Sequence, residues 1–388
     1  MAIPLRYSIR HIGLRWRTTT LTVFAFALVV AMLVIVLSLA QGLSEAFVSS
    51  GDPRNLLVLR KGSTSETNST VDRKHLAKIR YLEGVAAGPD GRPLAELETI
   101  NIVSLEKNGG GKSNAIIRGA GPSSFGMRPG LRIVEGRPFT PGLQELIVGD
   151  GASKRFRNTR VGDRVKLVKS EWIIVGRFDT GRTAFDSELW GDVEVLNREF
   201  DRDVYSSIIV QATDPAGRDR LKAAIESNQQ LSGLKPRAEV DYYAEQTKNS
   251  KPIQYLGTMI AVIMAVGAVF SAMNTMYAAI SSRAREIGTL RILGYSRRSI
   301  LLCFIIEAAM LGLVGGVLGG LLALPMNGVA TGTSNMYSFS EVAFAFRVTP
   351  TLFAIGVGFA VVMGIVGGFL PALQASRAAI VENMRDGA

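Results

Sequence analysis

The stretch SSRAREIGTLRILGYSRRSI, Ser281 to Ile300, carries five arginines against one glutamate. It decides the fold because long apolar runs flank it on both sides. Before it, Ile253–Ile280 is free of charge; after it, the run from Ser299 to Pro325 is interrupted only by Glu307. Leu21–Ala40 and Thr349–Leu370 have the same character. Each run reaches the roughly 20 apolar residues that cross a bilayer core. The pattern predicts four membrane helices, at 21–42, 253–280, 299–326 and 349–371. The first run exceeds the roughly 7–15 apolar residues of a signal core, so it reads as a retained span.

Arginines set the orientation. Arg6, Arg10, Arg15 and Arg17 precede the first span, and Arg377 and Arg385 follow the fourth. The loop between the third and fourth spans, 327–348, holds only Glu341 and Arg347. An even number of spans puts both termini on one side. The arginine-rich segments then share that side, which the positive-inside rule makes the cytoplasm. Three segments are therefore expected there: an amphipathic helix over 1–20 (Leu5, Ile9, Ile12, Trp16), the 281–298 hinge, and the tail 372–388. Residues 43–252 are expected outside. That region has 32 Lys/Arg and 28 Asp/Glu, so most of the chain's +11 lies elsewhere. Topology accounts for the basic excess, and nucleic-acid binding is not expected.

Residues 43–252 read as an α+β domain. A strand is predicted from Asn55 and a helix over Val71–Val85, with Asp72 as N-cap and Gly84 as stop. Strands follow at Thr99–Leu105 and Ala115–Arg118. A β-rich insertion over about 123–203 holds GRPF (136–139), QELIVG (144–149), VGDRVKLV (161–168) and EWIIVGRF (171–178). A strand at 205–212, a helix from Pro215 to about Asn228 and an extended piece at Arg237–Val240 close it.

Catalytic signatures are missing. NGGGKS, Asn108–Ser113, lacks the first glycine of a phosphate loop, since Glu106 stands there, and no helix pattern follows; it reads as a hairpin tip. Leu231-Ser232-Gly233 does not continue as an ATPase signature. The acids of Asp179–Asp203 alternate with arginines and read as a solvated charged face. His11 and His75 fall on opposite sides of the membrane, and the single cysteine, Cys303, lies inside a span. No metal site, disulfide, cofactor or catalytic residue is expected.

The third span contains LGLVGGVLGG, in which Gly315/Gly319 and Gly316/Gly320 each share a helix face; Gly364/Gly368 repeat the spacing in the fourth. Such rows let helix backbones approach closely, either between subunits or within one bundle. Glu307 is the ionisable residue inside a span. It lies about two turns from the cytoplasmic end, within reach of the interface or of a hinge arginine. In the hinge itself, Ile287, Leu290 and Leu293 fall on one helical stripe, Gly294 suits a left-handed cap, and Ser296 suits the start of the next helix. A short ordered helix with an apolar ridge and charged rim fits a groove on a partner protein.

REIGTLRILGYSRRSI, Arg285 to Ile300, resembles the coupling region of MacB/FtsX-type (type VII) ABC transporter permeases. The likeness extends to LRYSIRHIGLRWRTTTLT before the first span, GRPF…ELIVG…VGD…IIVGRF in the domain, IEAAMLGLVGGVLGG with Glu307, and the ending PALQASRAAIVENMRDG, where Ile380 stands at a common proline position. The domain's size resembles the MacB/LolC-like branch without a fused ATPase. The resemblance implies a four-helix permease subunit in a homo- or heterodimer in the bacterial inner membrane. A separate cytoplasmic ATPase, holding ATP and Mg, would take the coupling helix into its groove. Arg283, Arg285, Glu286, Ile287, Gly288, Leu290, Arg291, Leu293 and Gly294 would form that contact. The implied function is export or extraction of a lipid, lipoprotein, peptide or drug-like substrate, with a periplasmic adaptor or lipid/lipoprotein carrier as a further partner. The alternative is an FtsX-like transducer that regulates an extracytoplasmic hydrolase. A membrane-anchored enzyme in 43–252 is the third reading.

Overall fold

The computed structural model describes residues 16–128, 130–181, 183–246, 251–334 and 341–377. Residues 1–15 of the amphipathic helix expected over 1–20 and the tail beyond 377 lie outside the described residues, as do the side chains of 16–18, 251–254, 285, 330, 333–334 and 341–343. The chain forms two units: one from 1–41, 251–329 and 346–388, the other from 42–250 and 330–345.

Helix α1 (Trp16–Val48) leads into strand β1 (Asn55–Arg60) and helix α2 (Arg73–Ile79). The long hairpin β2 (Ala95–Glu106) and β3 (Lys112–Ala120) follows. Next come β4 (Arg132–Gly136), β5 (Glu145–Gly149), α3 (Asp150–Arg155), β6 (Arg164–Lys166), β7 (Glu171–Asp179), β8 (Glu188–Asp192) and α4 (Val193–Glu199). Then β9 (Ser207–Gln211), α5 (Pro215–Ser227), β10 (Leu234–Ala238) and α6 (Glu239–Gln246) complete this region. Helices α7 (Lys251–Ser281), α8 (Ala284–Ile292) and α9 (Arg297–Ala323), the hairpin β11 (Ala330–Ser334) and β12 (Glu341–Ala345), and α10 (Pro350–Arg377) finish the chain.

The sheet-bearing unit is built on one ten-stranded sheet, ordered β10-β1-β9-β2-β3-β8-β5-β7-β4, with β6 on β7. Pairings are antiparallel except β3–β8 and β5–β7. The β-rich segment around 123–203 thus extends the same sheet from β3 outward. Two apolar cores sit on it. One packs Leu56, Val58, Leu97, Ile208 and Val210 under α2 and α5, through Leu76, Ile79, Leu221 and Ile225. The other gathers Ile117, Leu146, Val148, Trp172, Ile174 and Leu189 under α3 and α4. NGGGKS closes the β2–β3 hairpin, with Glu106 opposite Lys112 and left-handed Gly110 and Gly111.

Two expectations change here. The helix expected over 71–85 is only seven residues, because its chain turns at Leu82 and Gly84 (φ +95°) to reach β2. The acids of 179–203 form a solvated face only in part, since Glu194, Asp201 and Asp203 are exposed and four others are not. Asp186, Glu188, Asp192 and Glu199 are buried: Asp186 accepts from the Thr180 N–H and hydroxyl within the run, Glu188 pairs with Arg118, and the other two cap a helix or reach a neighbouring turn. Asp192 accepts the N–H groups of Glu194 and Val195 at the start of α4, and Glu199 accepts from Lys169 and Ser170.

The other unit is a helix bundle. Among the described residues, four helices are long and apolar enough to cross a membrane: Thr19–Val48, Tyr255–Ser281, Arg297–Met326 and Pro350–Arg377. Their core joins Phe26, Val30 and Val34 with Ala265, Ala268, Leu311, Ala360 and Met363.

Candidate functional site

The hinge folds as its spacing predicts, and its sequence explains why. Helix α8 ends on Gly294 at φ +91°, a backbone conformation that costs L side chains energy. Tyr295 N–H reaches Leu290 O at 3.1 Å and Gly294 N–H reaches Arg291 O at 3.2 Å, the paired bonds of a Schellman cap. Ser296 then caps α9 by accepting the Ser299 N–H at 3.2 Å. Two caps within three residues fix the angle between α8 and α9.

The expected apolar stripe divides along α8. Ile287 is buried against Met276, Ile300, Phe304, Ala308 and Ala372, so it belongs to the bundle core. Gly288 is buried and Leu290 and Arg291 are half-buried. Glu286 and Gly294 are exposed, and Leu293 and its neighbour Ile292 are 67% and 61% exposed. Arg285 lies on the helix, with its side chain outside the described residues. The free apolar surface is therefore at the C-terminal tip, and Ile292, off the expected stripe, forms half of it.

Arg283 stands at the N-cap of α8 and turns inward. Its guanidinium donates to both oxygens of Glu307 on α9, at 3.0 and 3.3 Å. Both side chains are buried, so the intramembrane carboxylate is paired with the hinge arginine. A two-pronged Arg–carboxylate pair fixes direction as well as distance.

The glycine rows pack within this chain. Gly315 and Gly319 lie against Phe26, Val23 and Ala27 of α1, while Gly312, Gly316 and Gly320 lie against Ala360, Val357 and Phe353 of α10. A Cβ at Gly316 would sit 2.9 Å from the Ala360 Cβ. Gly364 and Gly368 answer from α10, against Ala308 of α9. Helix α9 is thus held on two faces, and of the two readings open for these rows, packing inside one bundle is the one observed.

The sheet-bearing unit holds a charged cluster that sequence reasoning missed. On the sheet face opposite the α2/α5 core, Arg118 (β3) bonds Glu66 at 2.9 Å, Glu98 (β2) at 2.7 Å and Glu188 (β8) at 2.8 Å. Arg128 clasps Glu98 with bonds of 2.6 and 2.9 Å, and Phe185 and Trp190 cover its guanidinium. Glu239 completes the group. All six charged side chains are almost wholly buried. Burial pushes the Glu98 carboxyl up, but the charges and hydrogen bonds of Arg128 and Arg118 outweigh it and hold it at about 2. Burial also raises Glu239, against Arg128 and the Asp52 and Asn55 donors. The available signal was charge inside runs otherwise reading as strand: Glu98 in AELETI and Arg118 at the end of AIIR.

Among the described residues no group of His, Cys, Asp and Glu has the arrangement of a metal site. What the arrangement offers is mechanical: a short capped helix, ion-paired to a membrane helix whose other faces are locked to two more.

Two family models match. The MacB-like periplasmic core domain covers residues 19–228 and the FtsX-like permease C-terminal domain covers 258–380. The macrolide export ATP-binding/permease protein MacB of Brucella abortus is 29% identical over 56% of this chain and 34% of that protein. MacB of Bdellovibrio bacteriovorus is 25% identical over 92% of this chain and 57% of that protein. The chain thus spans about a third to just over half the length of these relatives. Among solved structures, the periplasmic region of MacB from Actinobacillus actinomycetemcomitans is similar at a TM-score of 0.38, with 14% identity over 52% of this chain and 95% of that one.

Proposed function

The chain belongs to the MacB/FtsX-type family of ABC transporter permeases, and from that premise we propose that it passes ATP-driven motion from a cytoplasmic ATPase to the domain outside the membrane. The observation that carries this reading is the buried Arg283–Glu307 pair, which ties the start of α8 to α9. A separate ATPase, binding ATP and Mg, docks on the exposed Ile292–Leu293 tip and on the polar rim of α8. Its closure displaces α8. Because α8 is capped at one end and ion-paired at the other, α9 follows it. The glycine-lined contacts of α9 with α1 and α10 pass the displacement on, and α1 runs to within seven residues of β1.

On this reading the chain hydrolyses nothing itself and works in a homo- or heterodimer in the bacterial inner membrane, with both termini cytoplasmic. The substrate is a hydrophobic or amphipathic compound taken from the outer side: a lipid, a lipoprotein, a peptide or a drug-like molecule. The MacB relatives' names, which specify macrolide export, support the drug-like class. A periplasmic adaptor or a lipid or lipoprotein carrier would receive it.

Leu293→Glu tests the docking step, since an exposed tip residue is replaceable without unfolding the bundle. With the cognate ATPase in nanodiscs, the variant is expected to cut copurified ATPase and permease-stimulated ATP turnover roughly tenfold or more, the scale of losing one buried apolar anchor. Wild-type association and turnover would refute the site.

A further inference from the structure

The chain enters the sheet-bearing unit at 49–55 and leaves it at 238–246, and one buried carboxylate joins the two segments. Glu239, the first residue of α6, accepts the Asp52 N–H at 3.0 Å and the Asn55 amide at 2.8 Å through one oxygen. The backbones touch at the same place: a Cβ on Gly51 would lie 2.6 Å from Val240 N and 2.9 Å from Glu239 C. Ser50 adds a cross-tie, accepting the Ala184 N–H at 2.9 Å.

Glu239 is the least compensated member of its cluster. Glu66, Glu98 and Glu188 each take short hydrogen bonds from a guanidinium. They already place three carboxylates on two arginines. Glu239 is the fourth; its second oxygen has no hydrogen-bond partner and lies 3.5 Å from Arg128. The titratable groups that act on it are Arg128, Glu98 of β2 and Tyr243 of α6; Arg118 of β3, Glu66 and Glu188 of β8 join the same cluster through Arg118's bonds. From β1 it meets neutral Asn55, whose amide oxygen accepts from Gln211 of β9, and the Asp52 carboxylate is taken by Arg54. Beside it, Ser49–Pro53, Arg128, Leu131, Thr180 and Phe185 line a cavity of about 270 Å³ that offers water a route.

We propose that Glu239 is a proton-operated latch on this joint: neutral, it holds the entering turn and leaving helix together, and ionised, it loosens them. A neutral carboxyl keeps the carbonyl oxygen that both donors use and adds no charge. An ionised one repels Glu98 and competes with it for Arg128, and the strain is relieved by admitting water from the cavity. Burial raises this group's pKa in the folded chain. Its contribution is therefore complete below the unfolded value and is lost as pH rises through the folded one.

The test is hydrogen exchange of the full-length protein in nanodiscs at pH 4.0 and 7.5, with intrinsic rates corrected. Protection of 48–56 and 239–246 is expected to fall roughly threefold or more at the higher pH, because the raised pKa makes ionisation in the folded chain unfavourable. Glu239→Gln keeps the acceptor without the charge, so it should show the acid-state protection at both pH values. Protection that is pH-independent in the wild type, or equally pH-dependent in Glu239→Gln, overturns the latch. Should that variant not fold, the wild type's infrared band for a protonated buried carboxyl decides: loss in step with protection supports the latch, and an unchanged band overturns it. No ATPase is present, so the outcome is separate from that of the docking experiment.

Discussion

Arg283 and Glu307 are 24 positions apart, and each looks ordinary in the sequence: one arginine among five in a basic loop, and one glutamate near the end of a span. Together they remove two buried charges from each other's cost. Deleting one partner strands the other, which for buried pairs costs about 3–5 kcal/mol, whereas replacing both by apolar groups is often neutral. Thermal unfolding in detergent should show large, similar losses for Arg283→Ala and Glu307→Ala and near-wild-type stability for the Arg283→Leu/Glu307→Leu pair. A double variant as unstable as either single one would mean that the pair is not the source of the loss. Sequence reasoning reached this pairing as one of two fates for Glu307, because the depth of a span residue can be read from a count. It missed the Arg118 cluster for the converse reason. Glu66, Glu98, Glu188 and Glu239 are brought together by sheet order, and no local period records that order. The same cause took Glu188 and Glu199 out of the supposed solvated face of Asp179–Asp203.

At the scale of elements, the spans and the hinge helix were legible because length, apolarity and capping chemistry are local. Gly294 and Ser296 fix where α8 stops and α9 starts. The direction in which each glycine row faces was not legible, since a row shows that something approaches but not what. The structure gives α1 to Gly315/Gly319 and α10 to Gly312/Gly316/Gly320. Those contacts predict a graded response to added side chains. Gly316→Val drives two methyls into Ala360 and Val357, and overpacking of this kind typically costs about 1–3 kcal/mol. Gly267→Val on α7, where a Cβ meets nothing within 4 Å, should leave this chain's own bundle intact. Fluorescence-detected thermal melts of the two variants test this; equal losses would refute the assignment of the α9–α10 contact.

The whole molecule joins two kinds of fold in one chain: a thin bundle of four apolar helices, and one long sheet with two cores and a buried ionic centre. Strand positions in the second could largely be read from alternation and turn residues. Their order could not, because β3–β8 and β5–β7 are parallel pairs made across intervening strands and turns. The α+β class followed from element order, and the single continuous sheet did not. The unit also includes β11–β12 from the loop between the last two spans, so the chain passes between the two units at four points. Under the proposed mechanism, motion originating at α8 has more than one covalent route to this unit, along α1, α7 and the α9–α10 connection.

The most direct measurement of that transmission is site-directed cross-linking. Cys303 is the single cysteine, so a Cys303→Ala background leaves one reporter at a time. Leu293→Cys, in native membranes with the cognate ATPase carrying a groove cysteine, is expected to form a disulfide with it, while Tyr81→Cys, on the sheet-bearing unit, reacts only with membrane-impermeant reagents added from outside. A Leu293→Cys that forms no such bond and is modified from outside the cell would place α8 on the wrong side of the membrane and contradict the account.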